Sequence, residues 1–297
     1  MSCVCRAAKP PTRASGMNMK RTENLQRPGK PLIMGVLNAT PDSFSDGGLF
    51  REPEVALHHA LEMVEDGADI IDIGGESTRP GSEPVSVVDQ IARVVPIIER
   101  LRLCLPEDRL ISVDTTRAEV AAAALDVGAD LINDVSAGRG DPGTFPLVAE
   151  REAAIVLMHM QGTPKTMQDN PYYDAVVEEV LAFLLERARM AQAAGIAKKN
   201  IILDPGIGFG KRKEDNLVLM ANLSRLAEAG YDVLLGASRK RFMGAVCHER
   251  RPQELVAATV ATTALGVMAG VRIFRVHDVR ENRQAADVAY AIRLAGS

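Results

Sequence analysis

The sequence predicts one α/β domain, a single (β/α)8 TIM barrel, and three observations support that fold class. From Pro31 onward, short apolar runs alternate with helical patterns, as expected for βαβ units with a parallel sheet. Eight such units follow one another, and each apolar run ends at a polar residue. The length of 297 residues, of which 46% are hydrophobic and 25% charged, suits one barrel of about 250 residues. A doubly wound open sheet is the rival fold, but eight consecutive units without a domain break favour closure.

The first 30 residues are expected to lie outside the barrel. They are rich in Arg and Lys, contain Pro10-Pro11 and show no apolar periodicity, which is typical of a disordered tail. They lack the apolar core of a secretory signal, and Met17 or Met19 is an equally good start of the chain. The predicted organisation is therefore a basic extension at 1–30 and a barrel at 31–297.

Each predicted strand is a short apolar run of the kind that fills a strand buried on both faces. In chain order the strands are Leu32 to Leu37, Asp69 to Ile73, Leu110 to Val113, Asp130 to Ile132, Ala154 to Leu157, Ile201 to Leu203, Val233 to Gly236 and Val271 to Phe274. Between them, apolar residues recur at intervals of three and four, as in helices that pack on a sheet. The predicted helices are Val55 to Glu65, Val87 to Leu103, Arg117 to Val127, Asp174 to Ala194, Asn216 to Ala227, Glu254 to Met268 and Glu281 to Leu294.

The composition argues against several classes of function. A net charge of -4 and a 4% aromatic content without Trp offer neither a basic field nor stacking surfaces for nucleic acid. No apolar run approaches the roughly 20 residues that span a membrane. The four cysteines lack C-x-x-C spacing and nearby His partners, so neither a structural zinc site nor a disulfide framework is indicated. We therefore expect a cytoplasmic protein that binds neither nucleic acid nor membrane.

The carboxyl ends of all eight strands meet at one face of such a barrel, where active sites lie. A single polar residue after a strand is more often a helix N-cap than a ligand. Eight together, several in Gly-rich loops, indicate a site. The first of these loops, Ala39 to Gly48, is too long for a tight connection and carries one aromatic residue among hydroxyls and carboxylates.

Cationic residues at this face indicate a phosphate site, and they are Arg79, Lys211, Lys240, Arg275 and His277. Arg275 and His277 are two apart on an extended segment, so both side chains point the same way. Together with Arg79 they suit bidentate binding of a phosphate. Lys211, by contrast, is expected to be a solvated surface charge.

A second group at this face is neutral or acidic and consists of Asn38, Asp114, Asn133 and Asp204. These residues suit a flat heterocycle with amino and ring N–H donors. The segment 206–210 matches neither a dinucleotide fingerprint nor a P-loop, so its glycines turn the backbone over the site while Phe209 offers an apolar wall. Without a Ser-His-Asp or Cys-His set, the site suits transfer of a group away from a phosphate leaving group. Asn38 together with phosphate oxygens would complete a Mg²⁺ shell.

Eight motifs occur in order from about Pro31 to the C-terminus. They are LNATPDSFSDGG at 37–48, GGESTRPGS at 74–82, SVDT at 112–115, IND at 132–134, LMHMQGTPKTMQ at 157–168, LDPGIGFGK at 203–211, GASRKRF at 236–242 and RVHDV at 275–279. As a set they are highly specific and closely resemble the dihydropteroate synthase family. Ala39, Ile207 and Ala237 stand where Val, Phe and Met are expected in that family, which removes no functional group but bears on pocket shape.

The resemblance implies a transferase of folate biosynthesis that joins 6-hydroxymethyl-7,8-dihydropterin diphosphate to 4-aminobenzoate and releases diphosphate. It also implies Mg²⁺ as cofactor, a homodimer, and sensitivity of the family to sulfonamides. The C–O bond to diphosphate would break first or nearly so, because the electron-rich pterin stabilises the exocyclic methylene cation. The aryl amine would then attack.

The resemblance further implies roles for individual residues. The pterin would be held by Asp114, Asn133, Asp204 and Lys240. The diphosphate would be held by Asn38, Thr78, Arg79, Arg275 and His277, with Asn38 also a metal ligand. The aminobenzoate would be bordered by Phe44, Pro80, Phe209 and Ser238. Lys240, Arg275 and His277 would take part in catalysis, and Asp46 would stabilise the developing positive charge and order the loops.

Two alternatives remain at this point. A catalytically silent pterin-binding paralogue would bind the pterin without chemistry, but it should have lost members of the phosphate-binding set. A pterin-dependent methyltransferase of the same barrel type has no use for Arg275 and His277 as diphosphate ligands. Both residues are present in the sequence, which favours the synthase.

Overall fold

The computed structural model is a closed barrel of eight parallel strands and confirms the predicted fold class. It describes residues 25, 29–39, 52–76, 84–163 and 165–296. The strands are β1 (Leu32–Asn38), β2 (Ile70–Gly74), β3 (Leu110–Asp114), β4 (Leu131–Asp134), β5 (Ala154–Met158), β6 (Ile201–Asp204), β7 (Asp232–Leu235) and β8 (Ile273–Val276). Each strand pairs with the next, and β8 pairs with β1 to close the ring.

Helices cover the outside of the barrel. They are α1 (Glu52–Glu65), α2 (Val87–Cys104), α3 (Ala118–Asp126), α4 (Thr144–Glu150), α5 (Val176–Ala193), α6 (Lys213–Ala221), α7 (Leu223–Ala227), α8 (Arg241–Cys247), α9 (Val256–Met268) and α10 (Val279–Ala295). Short 3₁₀ turns at Lys198–Asn200 and Pro252–Leu255 precede β6 and α9. Among the described residues, no helix is both long enough and apolar enough to cross a membrane.

The main differences from the prediction concern one strand and three helical segments. Strand β8 begins two residues later than predicted, so it contains Arg275. The helix predicted at Asn216 to Ala227 is α6 followed by α7, because Asn222 has a φ of -116° and its side-chain amide donates to the Val218 carbonyl at 2.8 Å. Helices α4 and α8 are absent from the prediction, since seven residues give little periodicity to read.

The inside of the barrel changes from apolar to polar along each strand. Successive side chains of a strand point to opposite faces, so every second residue points inward. In register, Ile70 lies beside Leu110, Asp72 beside Ser112, and Gly74 beside Asp114. One buried apolar cluster fills the amino-terminal half of the interior: Met34, Ile70, Leu110, Leu131, Ala154, Val156, Ile202, Leu234 and Ile273. The carboxyl ends of the strands are therefore left to polar side chains.

Leu25 belongs to this interior cluster, here called the barrel floor, although it falls in the segment predicted as a tail. Its side chain is 3% exposed and packs with the floor residues. The rest of the predicted tail up to residue 28 lies outside the described residues. A segment that precedes β1 thus contributes to closing the amino-terminal end of the barrel.

Candidate functional site

The buried carboxylate of Asp72, on β2, joins four strands inside the barrel. Its Oδ1 accepts a hydrogen bond from the Ser112 hydroxyl at 2.6 Å. Its Oδ2 accepts one from Asn133 Nδ2 at 3.1 Å and one from Arg275 Nε at 2.6 Å. The structure therefore brings the predicted residues Asn133 and Arg275 together around a centre that the sequence prediction does not include.

A signal for Asp72 was available in the sequence. It stands in the middle of an apolar run that was expected to be buried on both faces, and Asp is almost never fully buried without a partner. Its exposed fraction is 0%. The period of two along β2 places it on the same face as the inward-pointing Ile70.

Arg275 lies between two acids. Besides its bond to Asp72, its Nη2 donates to Asp114 Oδ2 at 3.1 Å. Burial raises the pKa of Asp114 well above its usual value, Arg275 opposes this, and the nearby charge of Asp72 raises it further. Burial alone would lower the pKa of Arg275, but Asp72 and Asp114 outweigh it and the pKa is raised. The guanidinium therefore stays charged, and neither of these bonds uses its Nη1.

Asp204, at the end of β6, is the third acid of the site. It is 5% exposed, and its Oδ1 accepts a hydrogen bond from the Gly206 amide at 2.7 Å. Burial raises the pKa of Asp204 to about 6, against the lowering effect of that bond and of Lys240. Burial also lowers the pKa of Lys240 to about 8. The Lys240 ammonium lies over the Phe209 ring, 4.1 Å from its centroid, so the predicted cation and the predicted apolar wall are in contact.

Ser238 and His277 form one hydrogen-bonded unit. The backbone N–H of His277 donates to Ser238 Oγ at 3.2 Å, and the Ser238 hydroxyl lies 3.0 Å from His277 Nδ1. The Ser238 hydroxyl has one proton that it can donate to Nδ1, and in that tautomer the ring presents Nε2–H as a donor. Burial, followed by the charge of Arg275, lowers the pKa of His277 to about 4. In the free protein the His277 ring is therefore neutral at neutral pH, whereas the sequence groups it with the cations.

Lys211 is buried, so the expectation of a solvated surface charge is wrong. It is 4% exposed, and its ammonium lies 2.9 Å from His159 Nδ1. It also donates to the carbonyls of Gly206 at 2.9 Å and Phe209 at 3.0 Å. The glycines of this loop fold the chain around the lysine. A Cβ on Gly206, whose φ is +65°, would lie 1.9 Å from the His159 carbonyl oxygen.

A second ion pair joins the loops after β7 and β8. Arg239 Nε and Nη2 donate to the two carboxylate oxygens of Asp278 at 3.0 and 2.5 Å. Arg239 has a φ of +56°, a left-handed conformation that is uncommon for a residue with a side chain. Its backbone N–H donates to Thr259 Oγ1 at 3.1 Å, which helps to hold that conformation.

Asn38 ends β1 and is half-buried at the same face. It lies in register with Gly74, which lies in register with Asp114, and Asp114 with Asn133. The other predicted site residues are outside the part of the chain that the structure describes: Phe44, Asp46, Thr78, Arg79 and Pro80.

Ala39, Ile207 and Ala237 are buried next to the strand ends that carry the site. They are 6%, 0% and 3% exposed, and all three belong to the hydrophobic cluster between the sheet and its helices. They pack in the barrel wall, and their effect on pocket shape stays a prediction.

The arrangement has two chemical halves. Asp114, Asn133 and Asp204 present acceptors to a ligand with several N–H donors, and a carboxylate accepts such donors in pairs. Arg275, Lys240 and His277 Nε2–H present donors that suit an anion. A flat, donor-rich ring that carries an anionic group fits both.

Comparisons with known proteins agree with this geometry. The family described as pterin binding enzyme matches residues 34–277. The chain is 45% identical over 260 residues to the dihydropteroate synthase of Synechocystis sp., which covers 88% of this chain and 89% of that protein. It is 46% identical over 269 residues to the dihydropteroate synthase of Bacillus subtilis, which covers 90% of each.

A solved structure shows the same architecture. The dihydropteroate synthase of Xanthomonas albilineans with 4-aminobenzoic acid superimposes with a TM-score of 0.83 at 46% identity, and the match covers 89% of this chain and 93% of that chain. A structure from the same organism in complex with 7,8-dihydropteroate gives a TM-score of 0.79 at 43% identity.

Replacement of Arg275 by Ala is expected to destabilise the fold by about 3–5 kcal/mol, because the fully buried Asp72 would lose its ionic partner. Urea unfolding measures this change. The control Arg280→Ala, at an exposed position on α10, should change the free energy of unfolding by less than about 0.5 kcal/mol. The double variant Asp72→Asn, Arg275→Ala should recover part of the loss, and equal stability of the single and double variants would contradict the pairing.

Gly206→Ala is expected to disrupt the loop around Lys211, because the new Cβ would clash with the His159 carbonyl oxygen. This backbone atom can move away only if the end of β5 moves with it. Gly230→Ala is the matched control. Gly230 also has a positive φ, of +82°, but its Cβ would meet only the flexible end of Lys198. Thermal unfolding should therefore show a much larger loss for Gly206→Ala, and similar losses for the two variants would refute the tight fit.

Proposed function

The chain belongs to the dihydropteroate synthase family of pterin-binding enzymes, which are transferases of folate biosynthesis. We propose that the site at the carboxyl ends of its strands, here called the mouth of the barrel, carries out the family reaction. In that reaction 6-hydroxymethyl-7,8-dihydropterin diphosphate and 4-aminobenzoate give 7,8-dihydropteroate and diphosphate. The observation that carries the proposal is the juxtaposition of buried acceptors and donors around Asp72, Arg275 and Asp204.

The pterin fits the acceptor half of the site. Its amino group and ring N–H groups would donate to the carboxylate of Asp204 on β6, with Asp114 on β3 and Asn133 on β4 as further partners. Lys240, close enough to lower the pKa of Asp204, would lie at the edge of the ring. Burial of these groups strengthens each hydrogen bond that they form, because the effective dielectric is low.

The diphosphate fits the donor half. Arg275 is charged, fixed by two acids and retains Nη1, and the neutral His277 ring offers Nε2–H. Asn38, in register with Gly74 at the carboxyl end of β1, adds a further donor and acceptor at this face of the barrel. Thr78 and Arg79, which lie outside the described residues, would complete the set. Preorganised donors of this kind stabilise the charge that develops on a leaving group.

The residues present fit a Mg²⁺ ion that is shared with the diphosphate. Asn38 is half-buried at the carboxyl end of β1, on the face where the site lies. Mg²⁺ usually takes one or two protein oxygens and completes its shell with phosphates and waters, so the Asn38 amide oxygen suffices on the protein side. When bound, the ion would neutralise charge on the departing diphosphate.

The 4-aminobenzoate would lie against Phe209 and Ser238, with Phe44 and Pro80 from the two loops outside the described residues. Phe209 packs on a small cluster of Val135, Met158, Met160 and Met167, which fixes its ring beside the Lys240 ammonium. After departure of the diphosphate, the amine would attack the exocyclic carbon of the pterin. Asp46 is proposed to stabilise the positive charge and to order the loops.

We also propose a cytoplasmic homodimer. Leu265 and Met268 on α9 are 63% and 50% exposed, and Val288 and Ile292 on α10 are 61% and 60% exposed. The spacing of three and four places each pair on one side of its helix, and the two helices pack together. Such an apolar stripe suits burial against a second copy of the chain.

Release of diphosphate by the purified protein tests the reaction. With the pterin diphosphate, 4-aminobenzoate and Mg²⁺ present, we expect release together with formation of dihydropteroate, and both should depend on Mg²⁺. Omission of the amine is the control for simple hydrolysis. Absence of product from a folded protein that binds the pterin would contradict the proposal and favour the silent paralogue.

Binding of 6-hydroxymethyl-7,8-dihydropterin, without the diphosphate, is expected to weaken as the pH falls through about 6. The pKa of Asp204 is raised to about 6 in the protein, so the carboxylate that accepts the pterin donors is lost below that pH. The dissociation constant should rise about tenfold between pH 7 and pH 5. Calorimetry measures this change, and Asp204→Asn should bind more weakly at pH 7 with a flatter profile. An unchanged constant in the parent protein would remove Asp204 from this role.

A further inference from the structure

Lys211 is the centre of the loop between β6 and α6, yet it is not a predicted ligand of either substrate. Its ammonium is within hydrogen-bonding distance of His159 Nδ1 and of the carbonyls of His159, Gly206 and Phe209, at 2.9, 3.3, 2.9 and 3.0 Å. An ammonium has three N–H donors, so the three shortest contacts account for all of them. The loop is wrapped around a single buried charge.

The contact with His159 fixes the state of that ring. An ammonium can only donate, so Nδ1 must accept, and the proton of the neutral ring must be on Nε2. The ring is 7% exposed and packs edge-on against Phe183, with centroids 5.0 Å apart. Burial, and then the charge of Lys211, lowers the pKa of His159 to about 2, so the ring stays neutral. A neutral acceptor and a charged donor thus form a fixed pair.

The same loop carries two groups of the site. Asp204 begins it, and the Gly206 amide donates to that carboxylate at 2.7 Å while the Gly206 carbonyl accepts from Lys211. Phe209 lies further along, with its carbonyl also on Lys211 and its ring against Lys240. Removal of the ammonium would release both carbonyls at once. The backbone that places Asp204 and Phe209 therefore depends on Lys211.

We propose that Lys211 is a positioning residue, which holds Asp204 for the pterin and Phe209 for the aminobenzoate without touching either substrate. The inference rests on the proposed function, since it assigns a role within that site. Its positive charge is also close enough to favour the ionised form of Asp204.

The charged and titratable neighbours set how this role depends on pH. Lys211 is faced by His159 from the loop after β5, Asp204 from β6, Asp215 from α6 and Lys240 from the loop after β7. Asp204 is faced by Lys211, Lys240 and Arg275. Burial lowers the pKa of Lys211 to about 7 in the free protein, and Asp204 opposes that shift. A bound pterin that keeps Asp204 ionised would therefore also help to keep Lys211 charged.

Lys211→Met tests the proposal, with Lys213→Met as a matched control two residues away, where the lysine is exposed and pairs with Glu214. In Lys211→Met, we expect the KM for 4-aminobenzoate to rise about tenfold or more as Phe209 loses its fixed position. The acid limb of pterin binding should move up by about one pH unit, because Asp204 loses a neighbouring positive charge. Lys213→Met should leave both unchanged.

A merely structural role would lower the thermal midpoint of Lys211→Met without moving the acid limb, and that result would overturn the proposal. If this variant does not fold, the histidine ¹⁵N spectrum of the unaltered protein tests the pairing of Lys211 with His159. His159 should be the neutral Nε2–H tautomer between about pH 5 and about pH 6, below the pKa of Lys211, and a protonated or Nδ1–H ring in that range would refute the pairing. The binding profile and the spectrum can both be measured without turnover. Failure of the proposed function has a different readout, which is the absence of product in the parent protein.

Discussion

The site depends on burial of charge inside a closed barrel. An isolated carboxylate transferred from water to a protein interior is very unfavourable, and it is tolerated only with a partner and a full set of hydrogen bonds. Asp72 meets both conditions through Ser112, Asn133 and Arg275, which come from three other strands. The barrel has to be closed, with β8 beside β1 and in the observed register, before these partners can meet. The chemistry at the mouth and the closure of the sheet are therefore linked through the same ions.

That link explains the shifted pKa values of the site. Folding places Asp114 and Asp204 where burial raises their pKa values and favours their neutral forms. The positive charge of Arg275 lowers the pKa of Asp114, and that of Lys240 lowers the pKa of Asp204. Groups held in this balance change protonation state readily when a ligand adds donors or charge. His277 is the counterpart on the donor side, because burial and nearby cations keep its ring neutral.

The sequence was sufficient for the fold and for much of the site. Strand period and the polar residue at each strand end predicted the barrel, and they placed Asn133, Asp204 and Arg275 at one face. What the sequence missed were partners rather than ligands. Asp72 lies inside an apolar run, and the sequence favours a surface position for Lys211, since no local pattern shows that a loop will fold around it. Protonation states such as that of His277 depend on neighbours distant in the chain, which one sequence does not reveal.

The loops after β6, β7 and β8 are already tied to one another in the free protein. In the first loop, Lys211 donates to the Gly206 carbonyl. The second and third loops are joined by the Ser238–His277 hydrogen bond and by the Arg239–Asp278 ion pair. Ordering a loop when a ligand arrives costs conformational entropy that is subtracted from the affinity. Here that entropy is lost during folding instead, before any substrate is present. The loops after β6, β7 and β8 should therefore bind a substrate with little loss of conformational entropy and with little change in their own mobility.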